Sequence, residues 1–320
     1  DCKIFFTKIT LVEYSKKMHK IRFINYYGKF NTNIFAKSDN SYGYYLSYPG
    51  IKLAQILEEQ YNYKVVNDES FDTIVFIDLD EELYNYAKKI PANIRKILIL
   101  AESPIYTPFP HNIKILADNI WTKVISYNRE IECPNIYYYD IAITGIQIPI
   151  CTLSPPQTTI QDIGCNISSY KNDTRGYTKD RDTLLLELLD KDMLHQFGRG
   201  WAKHKNYKGI SNNKIFDIAR YKYYFAIENS KYSGYVTEKI ADSILAERPC
   251  IYFGDLENAQ RRFPNTFVPL EELNINSFLK AREKLFDNYD YYYANVLKEK
   301  QNSIHWCDSF LENMLKAITI

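Results

Sequence analysis

Short apolar runs of strand length alternate along this chain with amphipathic stretches of helical spacing, and that alternation limits the fold more than any other feature. Residues 20–25 (KIRFIN) read as a strand ending at a Tyr-Tyr-Gly turn, and 51–61 (IKLAQILEEQY) as a helix before a short YKVV strand. Residues 73–78 (TIVFID) and 97–101 (ILILA) are buried strands, with a helix over 81–89 that stops before Pro91. A turn-rich stretch over 148–174, with Pro155-Pro156, reads as a linker. Beyond it come a helix at 181–190, a strand at 223–227, a helix at 237–247, a strand at 249–253 and a helical tail from about 277. Strand–helix alternation of this kind specifies parallel sheets covered by helices on both faces. At 320 residues the chain is long enough for two such α/β halves facing a cleft, with boundaries read at 1–155 and 156–320.

Lys and Arg number 40 against 39 Asp and Glu, a net charge of +1. Binding driven by phosphate neutralisation shows a clear basic excess, so no nucleic-acid partner is expected. The six cysteines (Cys2, Cys133, Cys151, Cys165, Cys250, Cys307) have no zinc spacing and read as reduced thiols. The two sequons, Asn166-Ile167-Ser168 and Asn172-Asp173-Thr174, read as chance matches in an Asn-rich chain. No run of 18 apolar residues is present to span a membrane. Because the first residue is Asp1 rather than Met, a removed leader or anchor stays open.

The densest chemistry lies in residues 221–254, YKYYFAIENSKYSGYVTEKIADSILAERPCIYFG. A buried strand ends in Glu228-Asn229-Ser230, a polar loop follows, and a helix begins near Thr237. In open α/β sheets, polar residues just beyond a strand's carboxyl end point into the ligand crevice. A helix N-terminus offers unpaired N–H groups and partial positive charge to an anion, and Lys239 in the first turn adds a full charge. Thr237 is placed to cap the helix. Glu238 suits the helix dipole and can also accept hydroxyl protons from a polar ligand.

This segment resembles the donor-binding motif of glycosyltransferase family 10, the α-1,3/1,4-fucosyltransferases, in their bacterial type. Tyr221, Lys222, Glu228, Asn229, Ser230, Tyr235, Val236, Thr237, Glu238, Lys239 and Gly254 match that pattern without gaps across its core. Tyr223 and Ile227 replace the usual Phe residues, and Glu247-Arg248 stands where the family has Ala-Gly-x-Val before the Pro. Weaker matches follow the family order: Glu102-Ser103-Pro104, Trp121-Thr122, Arg181, and Phe197-Gly198-Arg199-Gly200. Arg175 competes with Arg181.

The resemblance implies a GT-B fold of two Rossmann-like domains facing a cleft, with C-terminal helices. Residues 1–155 would bind the acceptor, and 156–320 would bind GDP-fucose and carry the helical tail. It implies inverting transfer of fucose from GDP-fucose to a sugar hydroxyl, an N-acetyllactosamine or lipopolysaccharide O-antigen type acceptor. The site carried over has Glu102 and Glu238 as catalytic carboxylates. Arg181, Glu228, Asn229, Ser230, Tyr235, Val236, Thr237, Glu238 and Lys239 would bind the donor. No cofactor or metal is required, a divalent metal being at most stimulatory. The reduced cysteines and the missing anchor point to a cytoplasmic enzyme, peripheral at a bacterial inner membrane, rather than to a Golgi one. A related transferase using another sugar nucleotide, or a glycan-binding homologue without turnover, are the other readings.

Two features read as decoys. Asp78-Leu79-Asp80 mimics a metal-binding Asp-x-Asp, but Glu81 and Glu82 follow and the run reads better as an acidic helix start. The Tyr138-Tyr139 and Tyr291-Tyr292-Tyr293 runs read as core or helix-face residues rather than sugar-stacking platforms.

Overall fold

The apolar runs become buried parallel strands. The computed structural model describes residues 18–26, 48–143 and 160–320, and the chain divides into two units. The first runs β1 (His19–Asn25), α1 (Tyr48–Gln60), β2 (Tyr63–Val65), β3 (Thr73–Ile77), α2 (Glu81–Lys89), β4 (Arg95–Ile99), α3 (Ile113–Leu116), β5 (Lys123–Ser126) and β6 (Ile136–Tyr138). Its strands lie in the order β2-β1-β3-β4-β5-β6, all parallel. Ile74, Val75, Phe76, Ile97 and Leu98 are fully buried, as befits strands covered on both faces. Asp80 caps α2 by accepting the Leu83 N–H at 3.0 Å, with Glu81 and Glu82 in the first turn and Lys88 and Lys89 in the last. Asp80 thus acts at a helix start, and Asp78 turns elsewhere, as described below. Among the described residues no group of three or more His, Cys, Asp or Glu is arranged to hold a metal.

The second unit runs β7 (Gln161–Ile167), α4 (Thr178–Asp190), β8 (Leu194–Phe197), α5 (Lys214–Ala219), β9 (Tyr221–Ile227), α6 (Glu238–Leu245), β10 (Cys250–Phe253), α7 (Leu256–Arg262), β11 (Phe267–Pro269), α8 (Ile275–Asp287) and α9 (Tyr289–Thr319). Its parallel strands lie in the order β11-β10-β9-β7-β8. Residues of α9 up to Trp306 belong to this unit and those from Cys307 to the first, whereas the sequence reading assigns the whole tail to the second. The boundary read at 155/156, with Pro155-Pro156, lies outside the described residues. Cys133, Cys165 and Cys250 are free thiols; Cys2, Cys151 and the side chain of Cys307 lie outside the described residues. Among the described residues no helix is long and apolar enough to cross a membrane.

Residues 161–167, placed by the sequence in a turn-rich linker, are instead β7, an internal strand between β9 and β8. Gly164 and Asn166 look like turn residues, yet each answers a packing demand. The Tyr223 ring fills the space a side chain at 164 would need, with a Cβ there meeting Tyr223 Cε2 at 2.3 Å. Asn166, buried, donates from Nδ2 to the Phe225 carbonyl at 2.6 Å and accepts from the Ser168 hydroxyl at 2.6 Å. The asparagine of the first sequon is therefore part of the sheet interior.

Because Tyr223 is itself fully buried, it has nowhere to move. Gly164→Ala should destabilise the second unit by about 1–3 kcal/mol through overpacking, read as a lower urea midpoint. An unchanged midpoint would show that the ring has room to shift.

Candidate active site

From β8 inward the second sheet reads second, first, third, fourth, fifth strand in chain order, so its winding reverses between β7 and β9. Ligands of doubly wound sheets bind beyond the carboxyl ends at that reversal. The loop at 168–171, the turn Gly198-Arg199-Gly200, Glu228-Asn229-Ser230 and Gly254-Asp255 all leave strands at this end. Alternation along β9 sends Tyr223, Phe225 and Ile227 into a core with Leu184, Leu188, Phe278 and Leu285. The next residue in the opposite register is Glu228, which reaches the start of α6 instead.

Glu228 has no exposed surface. Its Oε1 accepts the Thr237 N–H at 2.8 Å, the Thr237 hydroxyl lies 2.8 Å from both carboxylate oxygens, and Lys239 Nζ donates to Oε2 at 2.7 Å. Tyr252 reaches Oε1 at 3.4 Å. Burial raises the Glu228 carboxyl above the usual carboxylate range, against the pull of Lys239. Burial would lower Lys239, but the carboxylates of Glu228 and Glu238 more than offset it and raise its pKa. Thr237 is the N-cap by position, as expected, but its hydroxyl serves Glu228 and accepts from Lys239 Nζ at 2.7 Å rather than from a helix amide. The capping expectation is corrected on that point: a buried carboxylate is the stronger partner. A Cβ at Gly254 would meet Glu228 Cγ at 2.8 Å and the Tyr252 hydroxyl at 2.3 Å. Only glycine lets the end of β10 pass this close.

A second ion cluster shares the helix. Lys214, in the first turn of α5, lies 2.9 Å from Glu238 and 3.3 Å from Asp242. Burial alone would raise Glu238, yet Lys214 and Lys239 hold it well below the usual carboxylate range. Asp242 goes the other way: burial dominates and pushes it up to about 7 despite Lys214. Glu238 is thus an ionised acceptor, fixed by a lysine 24 residues upstream in the chain.

Arg181 is buried in the first turn of α4. Its Nη2 donates to the Ser169 carbonyl at 3.1 Å and to Asp182 Oδ1 at 2.8 Å, which ties it to the loop after β7. Arg175 is 58% exposed in its side chain and engages Asp173 at 2.8 Å. Of the two arginines, Arg181 stands at the sheet reversal. Ser230 is fully buried, and neither its hydroxyl nor the Asn229 carbonyl oxygen Oδ1 has a hydrogen-bond partner among the described residues. Tyr235 and Val236 are buried, so Val236 presents backbone rather than side chain. A cavity of about 270 Å³, lined in part by Tyr177, Asp180, Lys231 and Phe253, opens at the same strand ends.

Glu102 belongs to the first unit, three residues past the end of β4, and is half-buried. Its N–H donates to Asp78 Oδ2 at 2.9 Å and its Oε1 accepts the Ser103 N–H at 2.8 Å. The sequence reading missed Lys214, Asp242 and Asp78 as members of these clusters. One signal was available: Glu238 and Asp242 stand one helical turn apart, a like-charge pair that is unfavourable unless a cation sits over both.

Residues 164–307 match the model of glycosyltransferase family 10 (fucosyltransferase), C-terminal domain. An alpha-(1,3)-fucosyltransferase 4 from Bos taurus is 25% identical over 231 residues, covering 68% of this chain. The chain spans 55% of that relative's length. A crystal structure of an alpha1,3-fucosyltransferase superposes with a TM-score of 0.57 at 14% identity, over 93% of this chain and 92% of that one. One with GDP-fucose superposes at 0.54 and 13% identity, over 95% and 94%. At such identities these likenesses speak to fold, and they make it the GT-B type, two α/β units each built on a parallel sheet. Over residues 164–307, then, the chain is similar to glycosyltransferase family 10, in that family's C-terminal domain.

Proposed function

We propose that this chain is an inverting fucosyltransferase. It moves L-fucose from GDP-fucose to O3 of GlcNAc in a glycan acceptor, of N-acetyllactosamine or O-antigen type, and gives an α-linked product. The observation that carries the reading is the start of α6, where Lys239, Thr237 and Glu228 form one network inside a family 10 C-terminal domain. The fucosyltransferase solved with GDP-fucose supports the choice of donor.

In this mechanism the diphosphate takes Lys239 and the N–H groups of the first turn of α6, with Arg181 as a planar fork for phosphate oxygens. Glu238, held ionised by Lys214, accepts hydrogen bonds from ribose or fucose hydroxyls, while Asn229, Ser230 and Tyr235 shape the pocket. Glu102 takes the proton of the acceptor hydroxyl as the oxygen bonds to the anomeric carbon and the bond to the diphosphate breaks. GDP leaves with the charge that the lysine and helix dipole stabilise. No step calls for a metal.

A diphosphate that engages Lys239 competes with Glu228 for the ammonium charge. Weakening that pair, and bringing phosphate charge near, both raise the Glu228 carboxyl further. GDP binding should therefore take up protons and weaken as pH rises. Calorimetry in buffers of different ionisation enthalpy reads this directly, and proton release would contradict it.

Incubation with GDP-fucose and N-acetyllactosamine, with GDP release as readout, tests the reaction. Turnover only with another sugar nucleotide, or glycan binding without GDP release, would replace this reading with a related transferase or a lectin-like homologue. Glu102→Gln should lower turnover at least ~100-fold while GDP affinity holds; near-normal turnover removes it from the base role. Lys239→Ala should weaken GDP binding roughly 10–100-fold, as loss of a charged hydrogen bond implies. That variant strands Glu228, so Lys239→Ala with Glu228→Gln, which leaves the interior neutral, should show the same loss.

A further inference from the structure

Reading Glu102 as the base raises the question of what holds it, since it sits in irregular backbone past the end of β4. The peptide is gripped at every hydrogen-bonding position. On the amide side stands Asp78, the residue after β3, 2% exposed. Its Oδ1 accepts the Ala101 N–H and its Oδ2 the Glu102 N–H, both at 2.9 Å. On the carbonyl side, the Glu102 oxygen accepts from the Tyr127 hydroxyl at 3.0 Å and from His111 Nε2 at 2.9 Å. Burial holds His111 below the usual imidazole range. The ring is then neutral near pH 7, and because a carbonyl can only accept, Nε2 carries the proton.

These three side chains come from three separate segments: the residue after β3, the 3-10 turn Phe109–His111, and the residue after β5. Asp78 is an expensive choice for a mere turn. It takes a left-handed backbone, φ +52, a conformation that costs a residue other than glycine. Burial drives its carboxyl up to about 7, with the Glu102 carboxylate adding repulsion and only backbone amides opposing. Asparagine or glycine would turn the chain at less cost, but neither offers two acceptor oxygens to two consecutive amides. Strain of this kind persists where the surroundings demand one geometry.

We propose that Asp78, Tyr127 and His111 are positioning residues that orient the Glu102 peptide, and through it the carboxylate, toward the acceptor hydroxyl. The inference rests on Glu102 being the base. A carboxylate displaced by about 1 Å loses roughly 100-fold in rate, so removing one of several restraints should cost less than removing the base.

The test uses the full chain with GDP-fucose and N-acetyllactosamine. Tyr127→Phe, which deletes one hydroxyl and keeps the ring, should lower kcat roughly 5–50-fold. Its KM for GDP-fucose and its GDP affinity should stay within about twofold of wild type. Asp78→Asn keeps one acceptor and tolerates the left-handed backbone, and should fall in the same range, with Asp78→Ala lower still. A merely structural role would lower the melting temperature and leave kcat in place. If Glu102→Gln loses turnover but Tyr127→Phe and Asp78→Asn both keep kcat within twofold, the positioning role is overturned and the base stands. If Glu102→Gln keeps turnover, the base reading fails and the positioning role falls with it.

Discussion

The second unit is organised around one buried carboxylate. Glu228 lies at the end of an internal strand with no access to solvent, and the start of α6 is folded onto it by an amide, a hydroxyl and an ammonium group. Taking both charges of an ion pair out of water costs several kcal/mol per ion, which is recovered only with close geometry and further hydrogen bonds. Those bonds are present, and they fix where β9 ends, where α6 begins and how the loop between them closes over Tyr235 and Val236. Removing either partner would leave the other charged and stranded.

That pairing changes what the helix start offers an anion. A lysine at a helix N-terminus suggests an open cationic site, but here the charge is already engaged, with 18% of the side chain exposed. Around it stand three carboxylates, Glu228, Glu238 and Asp242, and two ammonium groups, Lys214 and Lys239. With all five groups charged the cluster is net negative, and it becomes neutral toward an anion only when one carboxyl takes a proton. Burial raises Glu228 and Asp242 toward that state, whereas Glu238, clasped by both lysines, stays ionised. Two of the acids are thus shifted toward protonation while one is held ionised.

How much of this was legible follows the physics of each signal. IVFI in β3 and the ILI of β4 are uniformly apolar because helices cover both faces, and that pattern needs no tertiary knowledge. β7 escaped because its Gly164 and Asn166 are explained by Tyr223 and Phe225, some sixty residues away. Short strands such as β6 and β11, of three residues each, carry too few side chains to show a period. At the site the residue types and their order along 228–239 are written in the sequence, but their partners are not. Thr237 is the N-cap in either description. Whether its hydroxyl turns to the helix or to Glu228 depends on where β9 ends in space. Lys214 is beyond any local pattern.

The turn after α6 shows how such a site tolerates a departure from the family pattern. Glycine usually takes the left-handed residue there, and this chain has Glu247 at φ +56. The turn is nonetheless closed in the usual way, with Arg248 N–H on the Ser243 carbonyl and Glu247 N–H on the Ile244 carbonyl, both at 3.0 Å. Side chains supply what glycine would have given through its backbone. Glu247 pairs with Lys300 at 2.5 Å, Ser243 donates to the Arg248 carbonyl at 2.7 Å, and the buried Arg248 guanidinium caps the Ala219 carbonyl just before β9 at 2.7 Å. A left-handed glutamate costs roughly 1–2 kcal/mol, within reach of three such bonds at about 1 kcal/mol each. Because Arg248 fastens the end of α6 to the start of β9, while Lys239 fastens its beginning to the end of β9, the helix is anchored to one strand at both of its ends. That double attachment is what holds the first turn of α6 at a set height above the sheet.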